Sequence, residues 1–249
     1  MSVLQGIPLV LVLVVLLSLQ YGCESQGTLF QYYQLVMRWP KAACYHKPAE
    51  PKICVMDDDH VPMRFTLHGM WATNWTNIKD EIRCEKAGTP FDEDEMTKQK
   101  TLQEQLEQSW PTLLDNYPTN MEFWKHEYDK HGRCSQDTTT QTEYCEKAHK
   151  LWQELQVVYQ ALADDKIIPA ADKIHTYNQI ERAIAKRFGS SWKVVLFCRK
   201  VNLTPRGTGG TKTILLLLHE IVFCFDNKAM EKKSCNRKSN AKTLTVLIN

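Results

Sequence analysis

Residues 123–134 read Phe123-Trp124-Lys125-His126-Glu127-Tyr128-Asp129-Lys130-His131-Gly132-Arg133-Cys134. As an α-helix, the segment sets His126 four residues before Lys130 and Glu127 four before His131, so the four side chains form two stacked pairs on one broad patch. Gly132 is expected as the left-handed residue just past the helix end, and Cys134 as a tie from that end to the rest of the fold. His126-Glu127 invites comparison with a zinc protease. That motif needs its second His at i+4, but His131 is at i+5, about 140° further round a helix of 3.6 residues per turn. The metalloprotease reading falls, and Phe123 and Trp124 beside the cluster argue against a merely solvated face.

Upstream, a second His stands in an apolar frame, Arg64-Phe65-Thr66-Leu67-His68-Gly69-Met70-Trp71. A His in such a strand is ordinarily a satisfied core residue. Gly69 beside it weakens that reading, because a glycine in a strand marks close approach of backbone or ligand. Trp71 is core by type, although its indole N–H can donate to a phosphate.

Around these segments the chain alternates blocks of pattern. Phe30 to Trp39, Arg64 to Trp71, Lys193 to Cys198 and Thr213 to Phe225 read as strands, the last nearly continuous in Leu, Ile, Val and Phe. Asp92 to Trp110, Met121 to His131, Gln141 to Ala161 and His175 to Phe188 read as helices. Helices in the centre and strands at both ends predict an α+β fold, with helices packed against a central, mainly antiparallel sheet.

Residues 1–22 hold no Lys or Arg, and Ile7 to Leu17 is almost unbroken Leu and Val. This is the pattern of a secretory signal peptide, too short for a membrane anchor, which takes about 20 apolar residues. The expected organisation is a cleaved segment, 1–25, and one domain, 26–249. Of nine cysteines, Cys23 sits at the expected cleavage point. The other eight, Cys44, Cys54, Cys84, Cys134, Cys145, Cys198, Cys224 and Cys235, read as a disulfide framework, since no C-x-x-C pair suggests zinc. Asn74-Trp75-Thr76 and Asn202-Leu203-Thr204 are glycosylation acceptors, the second followed by Pro205. A net charge of +2 gives no polybasic footprint, so charge alone does not point to nucleic acid.

Phe-Thr-Leu-His68-Gly-Met-Trp71 resembles the first active-site segment of the ribonuclease T2 family, and Phe123 to Cys134 resembles the second. The pair in this order, with Trp110-Pro111 between them, is specific. The resemblance continues at Gln34-Leu35-Val36 with Trp39-Pro40 and at His219-Glu220-Ile221 through Cys224-Phe225-Asp226, covering almost the whole mature chain. Two positions depart from the family pattern: Ala72, where Pro is usual, and Arg133, where Thr or Ser is usual.

The resemblance implies metal-free and cofactor-free cleavage of RNA, with His131 as general base, His68 as general acid, and His126, Glu127 and Lys130 holding or polarising the phosphate. RNA carries its own nucleophile, so two imidazoles titrating near neutrality suffice for the proton transfers. Gln34, Trp71, Trp110 and Phe123, with Tyr32 and Tyr33, are candidate substrate contacts. The resemblance also implies the bridges Cys44–Cys54, Cys84–Cys134 and Cys224–Cys235; Cys145 and Cys198 are left over and are expected to pair with each other.

Three roles compete on this reading. The string ending at Asp226, the Lys-His-Gly-Arg-Cys-Ser string ending at Ser135 and a pI near 8.0 resemble the style self-incompatibility ribonucleases, monomers gated by a pollen-side recognition protein. A general secreted plant ribonuclease is the alternative. A catalytically inactive storage or binding protein is the third, and retention of His68, His126 and His131 argues against it.

Overall fold

The computed structural model describes residues 30–46, 51, 53–75, 82–169, 173–203, 213–236 and 245–247. The expected signal segment, and Thr76 and Thr204 of the two sequons, lie outside the described residues. The architecture is α+β: one mainly antiparallel sheet with helices against it.

β1 (Tyr32–Arg38) runs between β2 (Thr66–Thr73) and β5 (Thr213–Asp226), antiparallel to both, and leads into the short helix α1 (Pro40–Ala43). β5 is fourteen residues long and carries β4 (Val195–Leu203) and β6 (Lys232–Lys233) along its other edge. β7 (Thr245–Leu247) joins β5 in parallel and pairs in turn with β3 (Ile174–Thr176). Asn202 lies in β4, opposite Ile214.

The helix predicted over 92–110 is two, α2 (Glu93–Lys98) and α3 (Lys100–Ser109), parted at Gln99, whose backbone leaves helical geometry. The one predicted over 141–161 is likewise α5 (Gln141–Leu155) and α6 (Val157–Asp164). α4 (Asn120–Glu127), α5 and α7 (Tyr177–Phe188) each open on a capping box, Thr119 with Glu122, Thr140 with Glu143 and Thr176 with Gln179. Each box satisfies otherwise orphaned N–H groups and contributes about 1 kcal/mol. The box at Thr176 starts α7 at Tyr177, so His175, predicted helical, lies in β3.

Side chains alternate across the sheet. Tyr33, Leu35 and Met37 enter the large core under the helices, while Tyr32 and Val36 join Trp71, Val195, Val222 and Cys224 in a smaller cluster on the other face. Two bulges break the alternation. On β2, Val36 pairs with Gly69 and Met37 with Leu67, leaving His68 as a surplus residue. On β5, Phe197 pairs with Glu220 and Cys198 with Leu218, leaving His219. Leu67 and Met70, and likewise Leu218 and Ile221, therefore both enter the large core although three apart. The pairs between them, His68-Gly69 and His219-Glu220, turn to the opposite face, the re-aiming that a bulge produces.

β2 is an edge strand, and its outward carbonyls are covered by side chains from the helical layer. Trp152 Nε1 donates to Phe65 O at 2.9 Å, Trp110 Nε1 to His68 O at 2.8 Å, and the Tyr144 hydroxyl to Met70 O. Every such pairing removes an open edge and a buried unsatisfied acceptor.

Among the described residues three disulfides are formed, Cys44–Cys54, Cys84–Cys134 and Cys224–Cys235. The expected Cys145–Cys198 bridge is not: both residues are buried thiols. Cys145 lies on α5, which packs against β1 and β2, whereas Cys198 lies on β4, beyond β5. Strands spaced about 4.8 Å apart put the two beyond the roughly 7 Å that a bridge spans. Burial pushes the Cys198 thiol up to about 12 and raises that of Cys145 as well.

Candidate active site

His68 is fixed from three sides. Its carbonyl accepts from Trp110 Nε1, its Nδ1 meets Glu220 Oε1 at 2.6 Å, and its Nε2 lies 3.8 Å from Glu127 Oε1. The imidazole keeps 28% of its side-chain surface, whereas Glu127 keeps 2%. Burial alone would raise the Glu220 carboxyl. The hydrogen bond and charge of His68, together with His219 and Arg38, overcome that and hold it at about 2. Glu220 is therefore an anion at any working pH, and it leaves Nε2 as the ring nitrogen on the Glu127 side. Glu127 is in turn held by Trp71, whose Nε1 donates to Oε2 at 2.8 Å. Gly69 allows this approach: a Cβ there would run into Glu127 Oε2 and Trp71 Nε1.

The segment predicted as one helix through His131 changes its hydrogen bonding after Glu127. Tyr128–Gly132 forms a π-helical turn closed by Arg133 N–H to Tyr128 O, five residues back. Such turns recur at functional sites because they re-aim side chains within a helix. The two stacked pairs separate by depth: His126 and Lys130 are half-buried, while Glu127 and His131 are buried. Burial lowers the pKa of His126, with Lys130 and His68 adding to the effect and Glu127 opposing it. His131 is wholly enclosed, with the Trp71 ring 4.9 Å away and no protein partner on either ring nitrogen. Burial, reinforced by Lys130, His68, His126 and Arg83, drives it to about 2, so it is neutral. Gly132 has φ −86° and not the expected left-handed backbone. Its missing Cβ leaves room for the rings of Tyr128 and Tyr144.

His68, Glu127, His126 and Lys130 border a cleft of about 180 Å³, whose far wall is Arg38, Thr112, Leu113, Leu114, Asn116, Tyr117 and Phe123. Two imidazoles, an ammonium, a guanidinium and a carboxylate thus face a common space, and the sequence pattern around them is decisive. The Ribonuclease T2 family matches residues 30–235. The chain belongs to that family. Ribonuclease S-7 of Nicotiana alata is 26% identical over 234 residues, covering 93% of this chain and 90% of the relative. Ribonuclease Oy of Magallana gigas is 28% identical over 217 residues, covering 86% and 91%. Ribonuclease MC1 from bitter gourd seeds matches with a TM-score of 0.68 at 26% identity, covering 88% of this chain and all of that one. This T2 ribonuclease is accordingly an endoribonuclease of a metal-independent class.

Of the predicted substrate contacts, only Phe123 borders the cleft. Its ring stacks on His68 at 6.4 Å and lies 5.7 Å from Tyr117. Trp71 and Trp110 have their indole N–H groups committed to Glu127 and His68 O, so they build the site from behind. Gln34 is buried in mid-sheet and donates to the Tyr32 hydroxyl at 3.2 Å. Tyr32 and Tyr33 are buried too, Tyr32 stacked on Trp75 at 4.2 Å. The family-atypical Arg133 donates to Ala87 O and Gly88 O at 2.7 and 2.9 Å, bracing the segment that carries Cys84. Ala72 is a buried partner of Tyr33 in the sheet.

Sequence reasoning passed over Glu220, Arg38 and Tyr117. For the first two a signal was present: a charged residue within an otherwise apolar strand must find a partner or a ligand.

Proposed function

We propose that this T2 ribonuclease is secreted and cleaves single-stranded RNA by attack of the 2′-hydroxyl on the adjacent phosphorus. A base removes the 2′-hydroxyl proton as the O2′–P bond forms; an acid delivers a proton to O5′ as the P–O5′ bond breaks. The products are a 2′,3′-cyclic phosphate and a free 5′-hydroxyl.

The observation that carries this reading is the Glu220–His68 pair at the cleft wall, which presents an oriented imidazole beside Lys130, His126 and Glu127. His68 is the acid. His126 and Lys130 stabilise the charge growing on the phosphorane, and Glu127 orients His68 and Trp71. His131 is the base. In its dry enclosure it resists charging, and the phosphate arriving in the cleft supplies the anion that favours imidazolium.

Incubation with RNA in the presence of EDTA should yield cyclic-phosphate ends by phosphorus NMR, leave DNA intact, and be abolished in folded H131A. More than a tenth of wild-type activity in that variant would move the base role elsewhere.

A style self-incompatibility role with a pollen-side partner is a narrower form of the same reading. It draws on the likeness to Ribonuclease S-7, but the likeness to Ribonuclease Oy is of the same order. Near-identical sequences from unrelated individuals would exclude it and leave the general secreted enzyme.

A further inference from the structure

We propose that Arg38 is a phosphate ligand of the cleft, gripping two oxygens of the RNA backbone with the Nε and Nη2 edge of its guanidinium. Arg38 ends β1, is 3% exposed, and borders the cleft with His68, His126 and Lys130. Its guanidinium lies over the Phe123 ring, 5.4 Å from the centroid, so one broad face is covered by an aromatic wall. Nε and Nη2 have no protein acceptor. These two atoms form the side edge of the fork, the pair that makes a parallel two-point contact with an oxyanion.

A buried guanidinium with open donors is costly unless something pairs with it. The neighbouring carboxylates do not. Glu220 is opposite Arg38 in the sheet register but its Oε1 is engaged by His68 at 2.6 Å, and Glu127 Oε2 is engaged by Trp71. Burial lowers the Arg38 pKa, and the fields of Glu220 and Glu127 oppose that shift without pairing with the fork. A guanidinium is basic enough to stay cationic even so, and this one stands beside the His68 imidazole that acts on the P–O5′ bond. A planar, permanently charged donor pair at that place suits a phosphate and adds a positive charge that the family-like segments around His68 and His126 do not contain. The inference rests on the ribonuclease reading of the cleft, but phosphate binding can be measured without turnover.

The test uses the secreted protein and the variants R38Q and R38K. Inorganic phosphate is titrated into each while arginine Nε–H resonances are followed by NMR, with the R38K spectrum assigning the Arg38 signal. In the natural protein that signal should move on phosphate addition. R38Q should bind phosphate at least tenfold more weakly and lose about 10- to 100-fold in kcat/KM by a similar factor for dinucleotides of every base, with R38K in between. An Arg38 resonance unmoved at saturating phosphate overturns the proposal, and this arm needs no folded variant. A kcat/KM loss confined to one base with phosphate affinity intact also overturns it, assigning the fork to a base edge instead. Failure of the natural protein to cleave RNA at all would sink the ribonuclease reading and leave the phosphate titration to be judged separately.

Discussion

His68 on β2 and His219 on β5 occupy the same kind of position, the surplus residue of a bulge, with a backbone carbonyl pinned by a tryptophan in each case. Trp110 Nε1 donates to His68 O and the Trp39 backbone N–H to His219 O, both at 2.8 Å. Yet only His68 borders the cleft. The difference lies in the residue that follows. Gly69 lets Glu127 and Trp71 close in on His68. Glu220, after His219, sends its carboxylate to His68 at 2.6 Å and leaves His219 Nδ1 at 3.9 Å. Burial then pushes His219 down to about 4, against the pull of Glu220. A bulge supplies direction; the partner it is given decides whether an imidazole becomes chemistry or structure.

The sharpest way to break this comparison is a pair of alanine variants. H68A should lose about 10³-fold or more in kcat, in line with removal of a proton-transfer group, and H219A should stay within about threefold. Equal losses at constant folding would show that both bulges serve the reaction.

Glu220 gives a graded test. E220A removes the hydrogen bond and the charge and should cost about 100-fold in kcat. E220Q keeps an acceptor for His68 Nδ1 and should cost about tenfold, with KM nearly unchanged and E220D partly restoring the rate. A loss in KM instead, or one tracking the melting temperature, would make Glu220 a packing residue.

The smallest effect concerns stability. His131 and His219 are held neutral in the fold, at about 2 and about 4 against an ordinary 6.5, so the unfolded chain binds more protons between those values. Their contribution is complete above pH 6.5 and declines as the pH falls toward 4. Glu220, held at about 2 against an ordinary 4.5, contributes above pH 4.5 and loses its share below that. Melting temperature should fall between pH 7 and 4, and less steeply in H219A, where one half-buried neutral imidazole is gone. An unchanged slope would mean that the surroundings of His219 do not hold it neutral in solution.

The candidate-site histidines were legible because residue type and neighbours announced them: His68 beside Gly69, and His126 to His131 beside two aromatics. Their depth was not. A two-residue period read along Phe65 to Trp71 has no place for a surplus residue, although two core residues three apart, Leu67 and Met70, were the available sign, repeated at Leu218 and Ile221. Trp71, Trp110 and Gln34 were misjudged because an aromatic or amide near a catalytic motif can face substrate or hold the motif from behind, and only the third dimension shows which. Cys145 and Cys198 were paired by elimination, which carries no distance. Gly132 was assigned a backbone reason when its reason is the space needed by Tyr128 and Tyr144.

The π turn over Tyr128–Gly132 has a consequence for how the site tolerates insertion and deletion. Five residues occupy a length of helix whose bonds span one residue more than usual. With one residue removed, the turn would relax to an ordinary α-helix, in which four residues cover about 400° and 6 Å, close to what the five cover in the wider turn. The chain beyond it, with Cys134 and its bridge to Cys84, would keep its place. What would change is which side chain stands where between Tyr128 and Gly132, the stretch that carries Lys130 and His131. A codon lost here would spare the fold and strip the site.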